Sequence, residues 1–176
     1  INYTALSASG NIFISDSYDG NKKIRLTYDG ASDLTGDFYN AKISSGSLIL
    51  ANNTIAPYIK IDDKNKMTII KINLNKINSK LRKKILKQLK NFITKQDNPV
   101  ILYGDFGVPS WNRYLRKFII QTRLSVKNKI LFTKNSSYNI FSTPSFYILG
   151  FNDMGVDNIE IKDAKDNKQI SFDISF

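Results

Sequence analysis

The 176 residues, 41% of them hydrophobic with 11 Phe and 9 Tyr, suit a single globular domain, residues 1–176, with a sizeable core. The chain has no cysteine and no histidine, which excludes disulfides, thiolate chemistry and every imidazole role as base or metal ligand. No apolar run has the length of a membrane-spanning helix and no signal peptide is visible, while the net charge of +11 points to a polyanionic partner unless it merely follows from a composition rich in Lys, Asn and Ile.

Residues 1–45 are polar and rich in turns (Asp19-Gly20, Asp29-Gly30, Gly36-Asp37), with short β-like runs at 11–15 and 23–28, a pattern of hairpins. Further strands are expected at 46–50, 58–61 and 67–74, the last entered through a charged turn at 62–66. Ser79 predicts the N-cap of a helix reaching Thr94, in which Leu81, Ile85, Leu89, Phe92 and Ile93 form one apolar stripe. Its other faces carry Lys80, Arg82, Lys83, Lys84, Lys87 and Lys90. They are either the solvated side of a helix packed on a sheet or, at Lys80, Lys83, Lys84, Lys87 and Lys90, a contact for nucleic-acid phosphates or lipid headgroups.

Asp97-Asn98-Pro99 ends that helix, and the wholly apolar run 99–103 reads as a central strand covered on both faces. Strand, helix and strand make a βαβ-like unit, whose functional groups usually gather where a strand ends, here at Gly104-Asp105-Phe106. A second helix is expected at 113–122, with Leu115, Phe118 and Ile119 facing the core. Strands follow at 130–133, 145–150, 156–162 and 170–176. The last alternates Ile170, Phe172, Ile174 and Phe176 against Ser171, Asp173 and Ser175. The total is an α+β domain built on two packed sheets.

The order and spacing of these segments over residues 46–176 resemble the endonuclease/exonuclease/phosphatase (DNase I-like) superfamily. Gly46–Ala51 is similar to an early strand of that family, and 68–74 to a strand that the family closes with His. The basic helix comes next. Asn98-Pro99-Val100-Ile101-Leu102-Tyr103-Gly104-Asp105-Phe106 resembles the strand that delivers Gly-Asp-Phe-Asn, and Pro109-Ser110-Trp111 with 113–124 resembles the following helix. The resemblance implies an αββα sandwich of two mainly antiparallel sheets and Mg²⁺-dependent hydrolysis of phosphate esters. Residues 1–45 are then a truncated or remodelled N-terminus. Such a site needs a Glu for the hard cation, an Asp/Asn pair to align water, and two His to offset phosphoryl charge.

Carried over one position at a time, little of that site survives. Asp105 stands at the family Asp, but the Asn that follows is Gly107, and the His closing the earlier strand is Asn73. A later Asp-His pair falls on Phe146 and Tyr147, and the terminal Asp-His pair on Lys168 and Gln169. The metal-binding Glu has no counterpart, since the single Glu of the chain is Glu160. Lys168 would set an ammonium beside Asp105 and disfavour a dication, and Phe146 would dry the pocket.

The resulting expectation is a degenerate, catalytically inactive domain that serves as a binding or scaffold module for a protein partner and uses no cofactor. The chain opens at Ile1 rather than Met, and some bacterial relatives hang such a domain on membrane helices. A piece of a longer, membrane-anchored protein, on the cytoplasmic or periplasmic side, is therefore also expected. Two alternatives stay open. One is residual phosphoesterase activity, with Asp105 and Asp153, Asp157 or Asp173 holding Mg²⁺. The other is a basic module for nucleic acid or anionic lipid, with Tyr103, Trp111 and Tyr147 available to stack on bases.

Overall fold

The computed structural model describes residues 23–30, 34–37, 43–61, 66–128, 144–163 and 168–175. In chain order the elements are β1 (Lys23–Tyr28), β2 (Thr35–Asp37), β3 (Ile43–Leu50), β4 (Thr54–Ile61), β5 (Met67–Asn73), α1 (Ser79–Ile93), β6 (Val100–Asp105), α2 (Arg113–Thr122), β7 (Ser125–Val126), β8 (Phe146–Gly150), β9 (Gly155–Asp163) and β10 (Lys168–Ser175). The expected strands at 11–15 and 130–133 lie outside the described residues.

The strands form a six-stranded sheet in the order β3-β4-β5-β6-β8-β7 and a four-stranded sheet in the order β2-β1-β10-β9. Every neighbouring pair is antiparallel except β5 and β6, which run parallel across the α1 crossover, so the βαβ unit is present. Alternation along β5 explains its near-continuous apolar run. Met67 and Ile69 face the four-stranded sheet, and Ile70 and Ile72 face the helices.

The inter-sheet core joins Ile24, Leu26 and Tyr28 of β1 with Ile170, Phe172 and Ile174 of β10 and with Ile101 and Tyr103 of β6. On the other face of the six-stranded sheet, α1 buries Ile85, Leu86, Leu89 and Ile93, and α2 buries Leu115 and Phe118. Each such side chain contributes about 1.5–3 kcal/mol relative to exposure, which offsets the weak intrinsic stability of a short lysine-rich helix. This is the DNase I-like sandwich. The described residues supply three of its layers: helices, six-stranded sheet and four-stranded sheet.

Several local expectations are corrected. The N-cap of α1 is Asn78, not Ser79: the Asn78 side chain accepts the Leu81 N–H at 2.9 Å, and Ser79 is the first helical residue. Asn112 caps α2 in the same way. Gly36-Asp37 is not a turn but part of β2, paired with Leu26 and Arg25. β3 and β4 pair along their whole length, Ile43↔Ile61 to Leu50↔Thr54, so both begin earlier than their hydrophobic residues suggest.

Candidate functional site

The parallel strands β5 and β6 end side by side, with Asn73 and Asp105 as register partners, and Phe146 opens β8 directly opposite Asp105. Tyr28, at the end of β1, reaches the same place from the second sheet, its ring 5.1 Å from that of Phe146. These strand ends border a cleft of about 480 Å³ whose lining includes Tyr28, Gly30, Asn53, Lys71, Asn73, Asn75, Lys76 and Asp105. Its position is that of the site the sequence resemblance points to.

Lys71 sets the electrostatics of the cleft. It shares the inward register of Met67 and Ile69 and is 1% exposed. Its Nζ donates to Asp29 Oδ1 at 3.2 Å and lies 5.5 Å from the centre of the Tyr28 ring. Burial raises the Tyr28 phenol well above the usual tyrosine range, and the negative charges of Asp105 and Asp29 push the same way. Burial does the same to Tyr103, helped by Asp29, and among the described residues the Tyr103 hydroxyl has no hydrogen-bond partner. Both phenols therefore stay neutral.

Asp105 is 1% exposed, and its Oδ1 accepts the Gly107 N–H at 2.7 Å, an Asx-type turn. Two glycines make that turn feasible. Gly104 has φ +139°, and a Cβ there would overlap the Ile72 carbonyl oxygen of the neighbouring strand. Gly107 has φ +65°, and a Cβ would lie 2.6 Å from the Leu74 carbonyl oxygen and 2.8 Å from Arg82 Nη2. The space for an Asn side chain at position 107 is thus taken by Arg82. Its guanidinium donates to the carbonyls of Leu74 (3.3 Å) and Ile77. Burial lowers the Arg82 pKa, and the charge of Asp105 opposes that shift.

The remaining sequence-derived positions fall in two groups. Asn73 is at the cleft and bridges it: its Nδ2 donates to the Gly30 carbonyl at 2.9 Å, and its Oδ1 accepts the Asn75 N–H at 3.2 Å. Phe146 is fully buried behind the cleft, its ring packed against Tyr28, and does not line it. Tyr147 points the other way, into the helical side, where its hydroxyl donates to the Pro144 carbonyl at 2.8 Å. Lys168 and Gln169 open β10 opposite Asp163 and Lys162, and neither lines the cleft. The ammonium inside the cleft is Lys71, which the sequence reading absorbed into an apolar strand. Lys71 follows Met67 and Ile69 on the inward register of β5.

The resemblance implies a Mg²⁺ ion, and the donors present do not fit one. Among the described residues no three His, Cys, Asp or Glu side chains converge. Asp29 faces an ammonium, and Asp105 already accepts a backbone N–H. The ligand set of Asp105 with Asp153, Asp157 or Asp173 does not assemble. Asp153 follows β8 at its far end from Asp105. Asp157 accepts from Ser175 at 3.3 Å, and Asp173 is paired with Arg25 (3.2 Å) and Asn158 (2.8 Å) on the outward register of the second sheet.

On the helical layer, Lys83, Lys87 and Lys90 line a groove of about 340 Å³ with Tyr114, Lys117 and Gln121, whereas Lys80 and Lys84 are exposed elsewhere on α1. Lys83 Nζ sits 3.9 Å from the centre of the Tyr114 ring, and this cation lowers the Tyr114 pKa. Tyr103 and Tyr147 are buried and cannot stack on a base, while Trp111 is 64% exposed.

No family model and no curated protein sequence matches the chain. Solved structures do share its fold. An endonuclease/exonuclease/phosphatase family protein from Bacteroides thetaiotaomicron superposes with a TM-score of 0.55 at 14% identity, covering 86% of this chain and 73% of that one. A protein of the same family from Leptotrichia buccalis gives 0.55 at 13% identity over 90% of this chain and 73% of that one. A mannosyl-6-phosphatase from Bacteroides thetaiotaomicron gives 0.52 at 15% identity over 81% and 71%. At such identities the likeness establishes the architecture alone.

Proposed function

We propose that this chain is a non-hydrolytic binding module that keeps the endonuclease/exonuclease/phosphatase architecture as a scaffold. The observation that carries the reading is Lys71, a buried ammonium paired with Asp29 at the strand ends where the fold would hold a dication. Hydrolysis of a phosphate ester on this fold calls for carboxylates converging on a hard cation and for groups that take up phosphoryl charge and protons. In their place stand an internal ion pair, a buried phenyl ring at Phe146 packed on Tyr28, a side-chain amide at Asn73 bridging the cleft, and a chain without histidine.

In this reading Asp105 holds a turn rather than a reaction. The fold neighbours include a mannosyl-6-phosphatase, and no metal-holding cluster that would support such an activity is found among the described residues of this chain. The module works by surface contact, as a scaffold or as part of a larger membrane-associated protein.

Two measurements test the proposal. Hydrolysis of bis-p-nitrophenyl phosphate and p-nitrophenyl phosphate is followed with Mg²⁺ or Mn²⁺, and the amide resonances of Gly107 and Asp105 are followed through the same titration. No turnover above buffer and no saturable local shift are expected. Metal-dependent turnover that disappears in Asp105→Asn would overturn the reading.

A further inference from the structure

The charge of this protein is not spread evenly. Residues 64–152 hold 18 of the 26 basic residues and 2 of the 15 acidic ones. Within that stretch the two packed helices carry nine Lys and Arg, six in α1 and three in α2, and neither helix contains an acidic residue. A solvated helix face with no functional demand normally interleaves both signs, because opposite charges at i,i+4 stabilise it and like charges repel. Among the described residues no ion pair with a carboxylate offsets that repulsion on either helix.

The same surface carries exposed apolar groups. Among the described residues the two most exposed large hydrophobic side chains are Ile120 at 72% and Trp111 at 64%. They flank one patch together with Arg113, Arg116 and Lys117, and Lys117 also lines the α1–α2 groove with Lys83, Lys87 and Lys90. An amphipathic indole and an aliphatic side chain set among guanidinium and ammonium groups match the interface of an anionic bilayer. Aromatic rings settle there at headgroup depth, and cations meet lipid phosphate and carboxylate.

We infer that the outer face of α1 and α2 is a docking surface for an anionic phospholipid bilayer, with Trp111 and Ile120 entering the headgroup region and the lysines of the two helices neutralising its charge. Nucleic acid fits the same cations less well. Ile120 offers a base neither a π-face nor a hydrogen bond, and the Tyr114 ring, otherwise a stacking platform, is covered by Lys83. The inference goes beyond the proposed function and stands whether or not the cleft hydrolyses anything, since the surface lies on the far side of the six-stranded sheet from the inter-sheet core.

Trp111 is the only tryptophan, so intrinsic fluorescence of the whole chain reports this one side chain. Vesicles of phosphatidylcholine are compared with vesicles containing roughly one quarter phosphatidylserine. With the anionic vesicles the emission shifts to the blue and is quenched by brominated acyl chains; with phosphatidylcholine alone neither occurs. Affinity falls as salt rises. The Lys83→Gln, Lys87→Gln, Lys117→Gln triple variant loses affinity about a hundredfold, roughly fivefold per charge removed. Ile120→Ser weakens binding at unchanged net charge, and circular dichroism verifies that both variants are folded. Three results would each overturn the inference: no binding to anionic vesicles, binding that leaves Trp111 in water and is indifferent to Ile120→Ser, or tighter binding to DNA than to these vesicles at equal salt.

Discussion

The pairing of Lys71 with Asp29 predicts an asymmetry that stability measurements can resolve. The ammonium is 1% exposed, whereas the Asp29 side chain is 40% exposed at the rim. At 3.2 Å the gross attraction is about 5 kcal/mol at an effective dielectric of about 20, most of it offset by desolvation of the ammonium. Asp29→Asn removes the charge but leaves the ammonium buried, and a cost of about 3 kcal/mol is expected. Lys71→Met removes the buried charge, fills its place with an unbranched apolar side chain of similar length, and leaves the carboxylate of Asp29 at the rim, in contact with water. Its cost should stay within about 1 kcal/mol. Urea denaturation at neutral pH measures both, with unchanged m-values required for the comparison. The double variant should resemble Lys71→Met rather than the sum of the two costs. If Lys71→Met proves as destabilising as Asp29→Asn, the ammonium is not a strained guest of the cleft, and the reasoning fails.

Three further outcomes follow from the cleft. Tyr103→Phe deletes a buried hydroxyl that, among the described residues, has no partner, so it should be neutral or stabilise by up to about 1 kcal/mol in thermal unfolding. Gly107→Asn, which restores the residue type of the resembled site, should destabilise by at least about 2 kcal/mol and bring no phosphatase activity, because its Cβ enters the space of Leu74 and Arg82. Alkaline titration should show a loss of stability starting near the ordinary tyrosine pKa of about 10. Tyr28 and Tyr103 are raised in the folded state, so above that pH the native chain holds more protons than the unfolded one; their contribution is complete below it and is lost as pH rises, less steeply in Tyr103→Phe.

What could be read from the sequence was whatever has a local period. β1 and α2 have the expected ends, and the alternation of Ile170, Phe172 and Ile174 does place those residues in the inter-sheet core. The βαβ unit and the strand end at Asp105 followed from an apolar run, an amphipathic stripe and a second apolar run. Caps and strand starts were less accessible. Asn78 and Ser79 are both good caps, and only the backbone decides which side chain faces the Leu81 N–H. β2 is a three-residue edge strand whose residues carry a turn signature, and pairing with β1 overrides that preference.

The chemistry inside the cleft was illegible for a different reason. Its governing contact joins residues 42 positions apart, and neither partner stands out locally. A single lysine in a hydrophobic strand reads as an interruption, and an Asp-Gly pair reads as a turn. Their pairing changes the meaning of the residues around them. Asp105, Asn73, Gly107 and Phe146 look like a catalytic centre that has lost its parts one by one, yet each has a structural occupation: a turn, a bridge between sheets, a space for Arg82 and a ring packed against Tyr28. Reinstating one catalytic side chain would therefore add a group where the space and the hydrogen bonds are already in use, and would cost stability before it gained a ligand. A return to hydrolysis would require Lys71 to leave first, because a dication cannot share the cleft with a buried ammonium while, among the described residues, only Asp29 and Asp105 offer charge against both.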